Sequence, residues 1–162
     1  MKILFAASEV APFIKTGGLA DVAGSLPGSL AALGHEVKVI LPLYEGIGEK
    51  WRSQMTFVKN FNVTLGWRQS YCGLFRLERE GVTFYFVDNE YYFKRSGLYG
   101  YYDDAERFAF FSRAVLDTVK HLEELDGFKP DIIHCNDWQT ALIPVYYNCF
   151  YRAAPGYEDI RT

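Results

Sequence analysis

The run Lys15-Thr16-Gly17-Gly18-Leu19-Ala20-Asp21-Val22-Ala23-Gly24, placed directly after an apolar N-terminal stretch, constrains this chain more than any other feature. The stretch before it, Lys2-Ile3-Leu4-Phe5-Ala6-Ala7-Ser8, is nearly continuous in apolar residues, as expected of a parallel strand over 2–8 covered on both faces. After Gly18, Leu19, Val22, Ala23, Leu26, Leu30 and Leu33 recur at three- and four-residue intervals. That spacing predicts a helix over 19–33 with one apolar face and Gly34 at its C-terminal cap. Pro27 and Gly28 interrupt the pattern and are expected to kink or fray it.

Two glycines and a cation where a strand gives way to a helix can form a phosphate site. Glycines allow close backbone approach, the helix N-terminus adds positive potential, and Lys15 supplies a full charge. The alternative is a tight turn at Gly17-Gly18 beside a solvated surface lysine. Two familiar phosphate loops are excluded by residue order. A Walker loop ends in Gly-Lys-Ser/Thr, whereas Lys15-Thr16 here precedes the glycines, and no Gly-x-Gly-x-x-Gly opens the helix. Leu41-Pro42-Leu43 also stands where a nicotinamide-binding fold would carry an acid at the end of its second strand.

The remaining pattern predicts strands at 36–41, 55–65, 70–79, 82–87 and 131–135, with helices at 104–125 and 138–151. The outer elements alternate as βαβ, and the middle reads as antiparallel hairpins hinged at Gly66, Gly73 and Gly81. The fold class is α/β with a mostly parallel sheet, in one domain, followed by a turn-rich tail over 153–162.

A net charge of −3 gives no general attraction to nucleic acid or to an acidic membrane. Cys72, Cys135 and Cys149 are odd in number and lack metal-site spacing, so reduced thiols are expected, as in a cytoplasmic protein. His35, His121 and His134 are equally scattered, and no metal site is expected. The strand begins at Met1, so no signal peptide is expected before it. Phe, Tyr and Trp supply 28 of 162 residues, and the densest group, Tyr91-Tyr92-Phe93 with Tyr99, Tyr101 and Tyr102, falls in a loop. Such rings match the apolar faces of sugars but serve cores equally well.

The run from Ser8-Glu9 through Lys15-Thr16-Gly17-Gly18-Leu19-Ala20-Asp21-Val22 closely resembles the N-terminal signature of bacterial glycogen synthases and plant starch synthases. Further matches follow in family order: Leu41-Pro42-Leu43-Tyr44, Asp88-Asn89-Glu90-Tyr91-Tyr92-Phe93 with Tyr99-Gly100, Glu106-Arg107-Phe108 through Ser112-Arg113-Ala114, and Pro130-Asp131-Ile132-Ile133-His134-Cys135-Asn136-Asp137-Trp138-Gln139-Thr140. The resemblance implies a Rossmann-like N-terminal, acceptor-facing domain of a GT-B glycosyltransferase, the first of two domains facing across a cleft. It implies transfer of glucose from ADP-glucose to the non-reducing end of an α-1,4-glucan such as glycogen, with retention of configuration and without a metal or other cofactor. It covers only the first part of the family's chain. The C-terminal nucleotide-sugar domain is absent, as are a His-Asn motif and a later Glu-containing segment, so a truncated piece without activity of its own is expected. The alternative is a non-catalytic module that binds glucan or a partner.

By resemblance, Lys15, Gly17 and Gly18 face the distal phosphate and glucose of the donor. Asp137, just past a strand end, takes a cleft position near the sugar as the candidate catalytic residue, although an Asp there is also a good helix N-cap. His134 reads as a cleft contact or as a packed core histidine, and the family often carries a second histidine where Asn136 stands. Glu9 and Asp21 are candidate contacts to sugar hydroxyls, with Asp21 equally explained by the helix macrodipole. Glu106 and Arg107 read as a structural polar edge beside an apolar stripe, and Asp103 or Asp104 as the cap of their helix.

Overall fold

The computed structural model describes residues 1–162. Six strands form one sheet: β1 (Lys2–Ala7), β2 (Glu36–Pro42), β3 (Thr56–Leu65), β4 (Arg68–Arg79), β5 (Val82–Asp88) and β6 (Ile132–Asn136), in the order β3-β4-β5-β2-β1-β6. β5, β2, β1 and β6 are parallel, and β4 and β3 extend the sheet antiparallel. The parallel half is the more deeply buried, with Leu4 to Ala7 and Val39 to Leu41 fully enclosed, as continuous apolar runs require.

Helix α1 (Gly18–Ala32) connects β1 to β2 and ends before Gly34, whose φ of +86° provides the left-handed turn. The helix does not fray at Pro27. The helix continues through it, and the proline ring is buried against the body of the domain. Helix α4 (Asp104–Asp126) is the longest element and buries Phe108, Phe111, Val115, Val119 and Leu122 at three- and four-residue spacing. Gly127 closes it at φ +67°. Two single-turn helices, α2 (Glu49–Arg52) and α3 (Glu90–Phe93), were not foreseen by the periodicity, being too short to show one. No helix is long and apolar enough to cross a membrane.

Two further expectations are corrected. Gly66 and Gly81 do occupy hairpin turns, at φ +60° and +77°, but Gly73 lies inside β4. A Cβ there would sit 2.6 Å from the Tyr71 hydroxyl and 3.2 Å from Asp88, so its smallness serves close packing and not a hinge. The single helix expected over 138–151 divides into a 3₁₀ turn (Trp138–Thr140), helix α5 (Leu142–Tyr146) and a π turn (Tyr147–Tyr151). Pro144 lies in the first turn of α5, where a missing N–H costs nothing, so it marks a restart. The tail over 153–162 is turn-rich as expected, and Arg161 bridges to the outer edge of β6, its carbonyl accepting from Ile133 N–H at 2.8 Å.

Candidate functional site

In an open α/β sheet, ligands bind outside the carboxyl ends of the strands where the connections diverge. Here that point lies between β1 and β6, because α1 carries the chain from β1 to β2 on one side and β6 pairs on the other. Ala7 is in register with Asn136, so Ser8-Glu9 and Asp137 leave the sheet side by side at its carboxyl edge.

On the β1 side, Glu9 is only 3% exposed. Its carboxylate accepts from Thr16 N–H at 2.5 Å, from the Thr16 hydroxyl at 2.9 Å and from the Tyr99 hydroxyl at 3.0 Å. These bonds fold residues 10–16 back over the strand end and bring Gly17 to the N-cap of α1. Gly17 is extended at φ −157°, a conformation open to any residue. A Cβ on Gly17 or Gly18 would meet nothing within 4 Å. The tight-turn reading therefore gives no reason for either glycine; their bareness leaves open space above the first N–H groups of a fifteen-residue helix. Lys15 is half exposed, with Nζ 2.7 Å from both carboxylate oxygens of Asp21. An incoming phosphate would compete with Asp21 for that ammonium.

On the β6 side, Asp137 Oδ1 accepts from Trp138 N–H at 2.7 Å, so it caps the 3₁₀ turn as well as facing the crevice edge. Its backbone stands at φ +70°, ψ 177°. That region is almost confined to glycine and costs about 1–3 kcal/mol in any other residue. His134 stacks on Phe5 with ring centroids 4.4 Å apart, a packed position within the strand and below the edge.

The two sides are joined by Tyr99, whose hydroxyl meets Ser8 at 2.7 Å and Glu9 at 3.0 Å, while its ring contacts Trp138 at 6.2 Å. Burial pushes the Tyr99 phenol well above its ordinary value, as does the Glu9 carboxylate. Tyr99 therefore remains a neutral donor. Its loop is held from beneath by Arg107, which is fully buried and not the polar edge expected. Arg107 donates to the carbonyls of Tyr92 at 2.7 Å and Leu98 at 2.8 Å and to Asp104 at 2.7 Å, and packs on Tyr101. Neither Asp103 nor Asp104 caps α4 through its side chain. Asp103 pairs bidentately with Arg95 at 2.6 and 2.7 Å, and Asp104 accepts from Gly100 N–H at 2.7 Å. Both acids bind the loop in preference to the helix end.

Sequence reasoning missed Tyr99 as a bridge and Arg107 as a clamp. The only signal was the density of tyrosines; a contact across 90 residues leaves no periodic trace. No group of three or more His, Cys, Asp or Glu side chains converges to hold a metal ion. Cys72, Cys135 and Cys149 are unbridged.

A doubly wound α/β sheet with a bare helix N-terminus and a strained acid at its switch point defines a ligand-binding α/β domain. The chain belongs to the starch synthase catalytic domain family, whose profile matches residues 2–162. It is 55% identical over 162 residues to the glycogen synthase of Desulforamulus reducens, covering 100% of this chain and 33% of that protein. It is likewise 55% identical over 163 residues to the glycogen synthase of Clostridium botulinum strain Alaska E43, again covering 33% of that protein. The catalytic domain of starch synthase IV from Arabidopsis thaliana, solved bound to ADP and acarbose, superposes with a TM-score of 0.84 at 32% identity. The match covers 98% of this chain and 32% of that one. The chain thus spans about a third of the length of the relatives it matches.

Proposed function

We propose that this chain forms the acceptor-facing N-terminal domain of a cytoplasmic GT-B glucosyltransferase that transfers glucose from ADP-glucose to the non-reducing end of an α-1,4-glucan such as glycogen, retaining configuration. A C-terminal domain carrying most nucleotide contacts completes the cleft, and this piece alone is inactive. The observation that carries the reading is the pairing of an unencumbered helix N-terminus at Gly17-Gly18 with a strained Asp137 across one crevice. Strain of this kind persists where the surrounding structure holds it for a purpose. The glycogen synthase relatives and the ADP-bound starch synthase support the donor and acceptor classes.

In this reading the N–H groups of Gly17-Gly18 and the Lys15 ammonium receive the distal phosphate of the donor. They offset charge that develops on the departing ADP, a contribution specific to the transition state. Asp21 holds Lys15 in place until the phosphate arrives, and Glu9 fixes the loop through Thr16. Asp137 accepts a sugar hydroxyl at the opposite lip, and His134 supports it from within the strand. The reaction needs no metal or other cofactor, its donor charge being met by the loop. The test is incorporation of radiolabelled ADP-glucose into glycogen by the full-length gene product and its Lys15→Ala variant. A fall of orders of magnitude in the variant is expected. No transfer by the intact protein, with glycogen still bound, would establish the non-catalytic glucan-binding module in its place.

A further inference from the structure

The β3–β4 hairpin runs well past the sheet that carries it. Gly73 of β4 pairs with Asp88, the last residue of β5, so Arg68–Cys72 and their β3 partners overhang the carboxyl end of β5. At about 3.4 Å per residue the overhang reaches about 17 Å. β5, β2 and β1 are parallel, so the hairpin tip projects from the same edge of the sheet that presents Glu9, Lys15 and Asp137.

At the tip, Leu65 and Arg68 close a two-residue turn with Gly66 at φ +60° and Trp67 beside it. Trp67 is 91% exposed, although an indole is among the largest apolar surfaces a side chain can offer. A cavity of about 250 Å³ adjoins it, lined by Leu65, Gly66, Trp67, Arg68 and Glu106. The Arg68 guanidinium lies 6.0 Å from the indole and pairs with Glu106 at 2.5 Å. Both side chains remain partly open to solvent, so each keeps hydrogen-bonding capacity free of the other. Tyr92 backs this surface from the core: itself buried, it donates its hydroxyl to Glu106 at 2.6 Å, and its ring meets that of the exposed Tyr91 at 5.0 Å.

A flat apolar face beside a mutually neutralised donor and acceptor selects a neutral ligand with one apolar face and a rim of hydroxyls. Glu106 opposes an anion, Arg68 opposes a cation, and an isolated indole flanked by an ion pair is a poor anchor for a lipid surface. We infer that the β3–β4 tip is an auxiliary platform for an α-glucan chain, holding an outer segment of the acceptor whose end lies in the crevice. The inference rests on the glucan-acceptor reading above and adds to it a second, remote contact. Holding one chain at two places raises its effective concentration at the reacting end.

The test compares the full-length protein with Trp67→Ala and Trp67→Phe. Two readouts are used: retardation in a native gel containing glycogen, and KM for glycogen relative to KM for maltotriose. Trp67 itself is exposed and outside the core, so the variants are expected to keep the parent melting temperature. Trp67→Ala is expected to lose most of the retardation and to raise the glycogen-to-maltotriose ratio of KM by about fivefold, with Trp67→Phe close to wild type. Undiminished retardation, or an equal rise in both KM values, would overturn the platform. Retardation lost in Trp67→Ala while the parent transfers no glucose would uphold the platform and defeat the transferase reading. Parent transfer with retardation indifferent to Trp67 would do the reverse. If the parent shows no retardation at all, Trp67 serves a partner other than glucan and the inference fails.

Discussion

Two loops flank the same crevice and are held in opposite ways. The Tyr91–Tyr101 loop is clamped from beneath by a fully buried arginine that donates to two of its carbonyls, and from the side by the Arg95–Asp103 pair. The Lys15–Gly18 loop hangs from one buried carboxylate, Glu9, and its only cation is exposed and paired with an equally exposed acid. The difference separates a wall from a working surface. Groups that must meet a ligand cannot also be committed to the interior, whereas the wall that orients them gains from every buried bond.

The largest effect expected from breaking that contrast is at Arg107. Arg107→Ala empties a fully buried site and leaves the Tyr92 and Leu98 carbonyls and one oxygen of Asp104 without the donor they share, and is expected to cost about 3–5 kcal/mol, read from the urea midpoint. An effect below about 1 kcal/mol would show that the clamp is dispensable. Next is Glu9→Gln, which removes the charge from three hydrogen bonds. A loss of about 1.5–3 kcal/mol is expected, with faster amide exchange over residues 10–17. Exchange unchanged in that segment would mean that Glu9 does not hold the loop.

A third comparison sharpens the strain at Asp137. Asp137→Gly and Asp137→Ala both remove the carboxylate, but only glycine accepts φ +70° with ψ 177° without cost. The glycine variant is expected to be more stable by about 1–3 kcal/mol, and equal melting temperatures would refute the strain.

The smallest effects are at the exposed ends of each loop. Lys15→Ala is expected to change stability by less than about 1 kcal/mol, since the Lys15–Asp21 pair is solvated, in contrast to the large loss of transfer expected under the proposed function. In the wall, hydrogen bonds from Arg95 hold the Asp103 carboxyl below the ordinary aspartate range. A depressed folded value contributes stability above the unfolded value of about 3.9 that is lost as pH falls through the folded one. Asp103→Asn should therefore flatten the acid limb of the stability profile below about pH 4; an unaltered limb would show the pair contributes nothing.

Much of the fold was legible because it is written locally. The apolar runs at 2–8 and 36–41 gave β1 and β2 to within a residue or two, and the apolar stripe through Phe110, Phe111 and Ala114 gave α4. The same local rules failed at Pro27, where packing overrides the missing N–H, and over 138–151, where a strained acid and Pro144 divide one apolar stretch into three short helices. At the site, the bareness of Gly17-Gly18 and the capping role of Asp137 could be read from residue type and order. The burial of Glu9 and Arg107 could not, because a charged residue reads as solvated until its partners are known, and theirs lie 3 to 90 residues away.

The sequence by itself therefore determined the class of fold and the position of a glycine-bearing loop between the first strand and the first helix, since strand burial, helical periodicity and glycine placement are properties of neighbouring residues. Only the tertiary structure decided which acids are ties and which are free. It did so by bringing Tyr99 to Glu9, setting Arg107 beneath the loop that carries Tyr99, and carrying Trp67 past the carboxyl end of β5 on a hairpin that outruns its sheet. Burial and long-range hydrogen bonding depend on where distant segments meet, and that is settled when the sheet closes over its core.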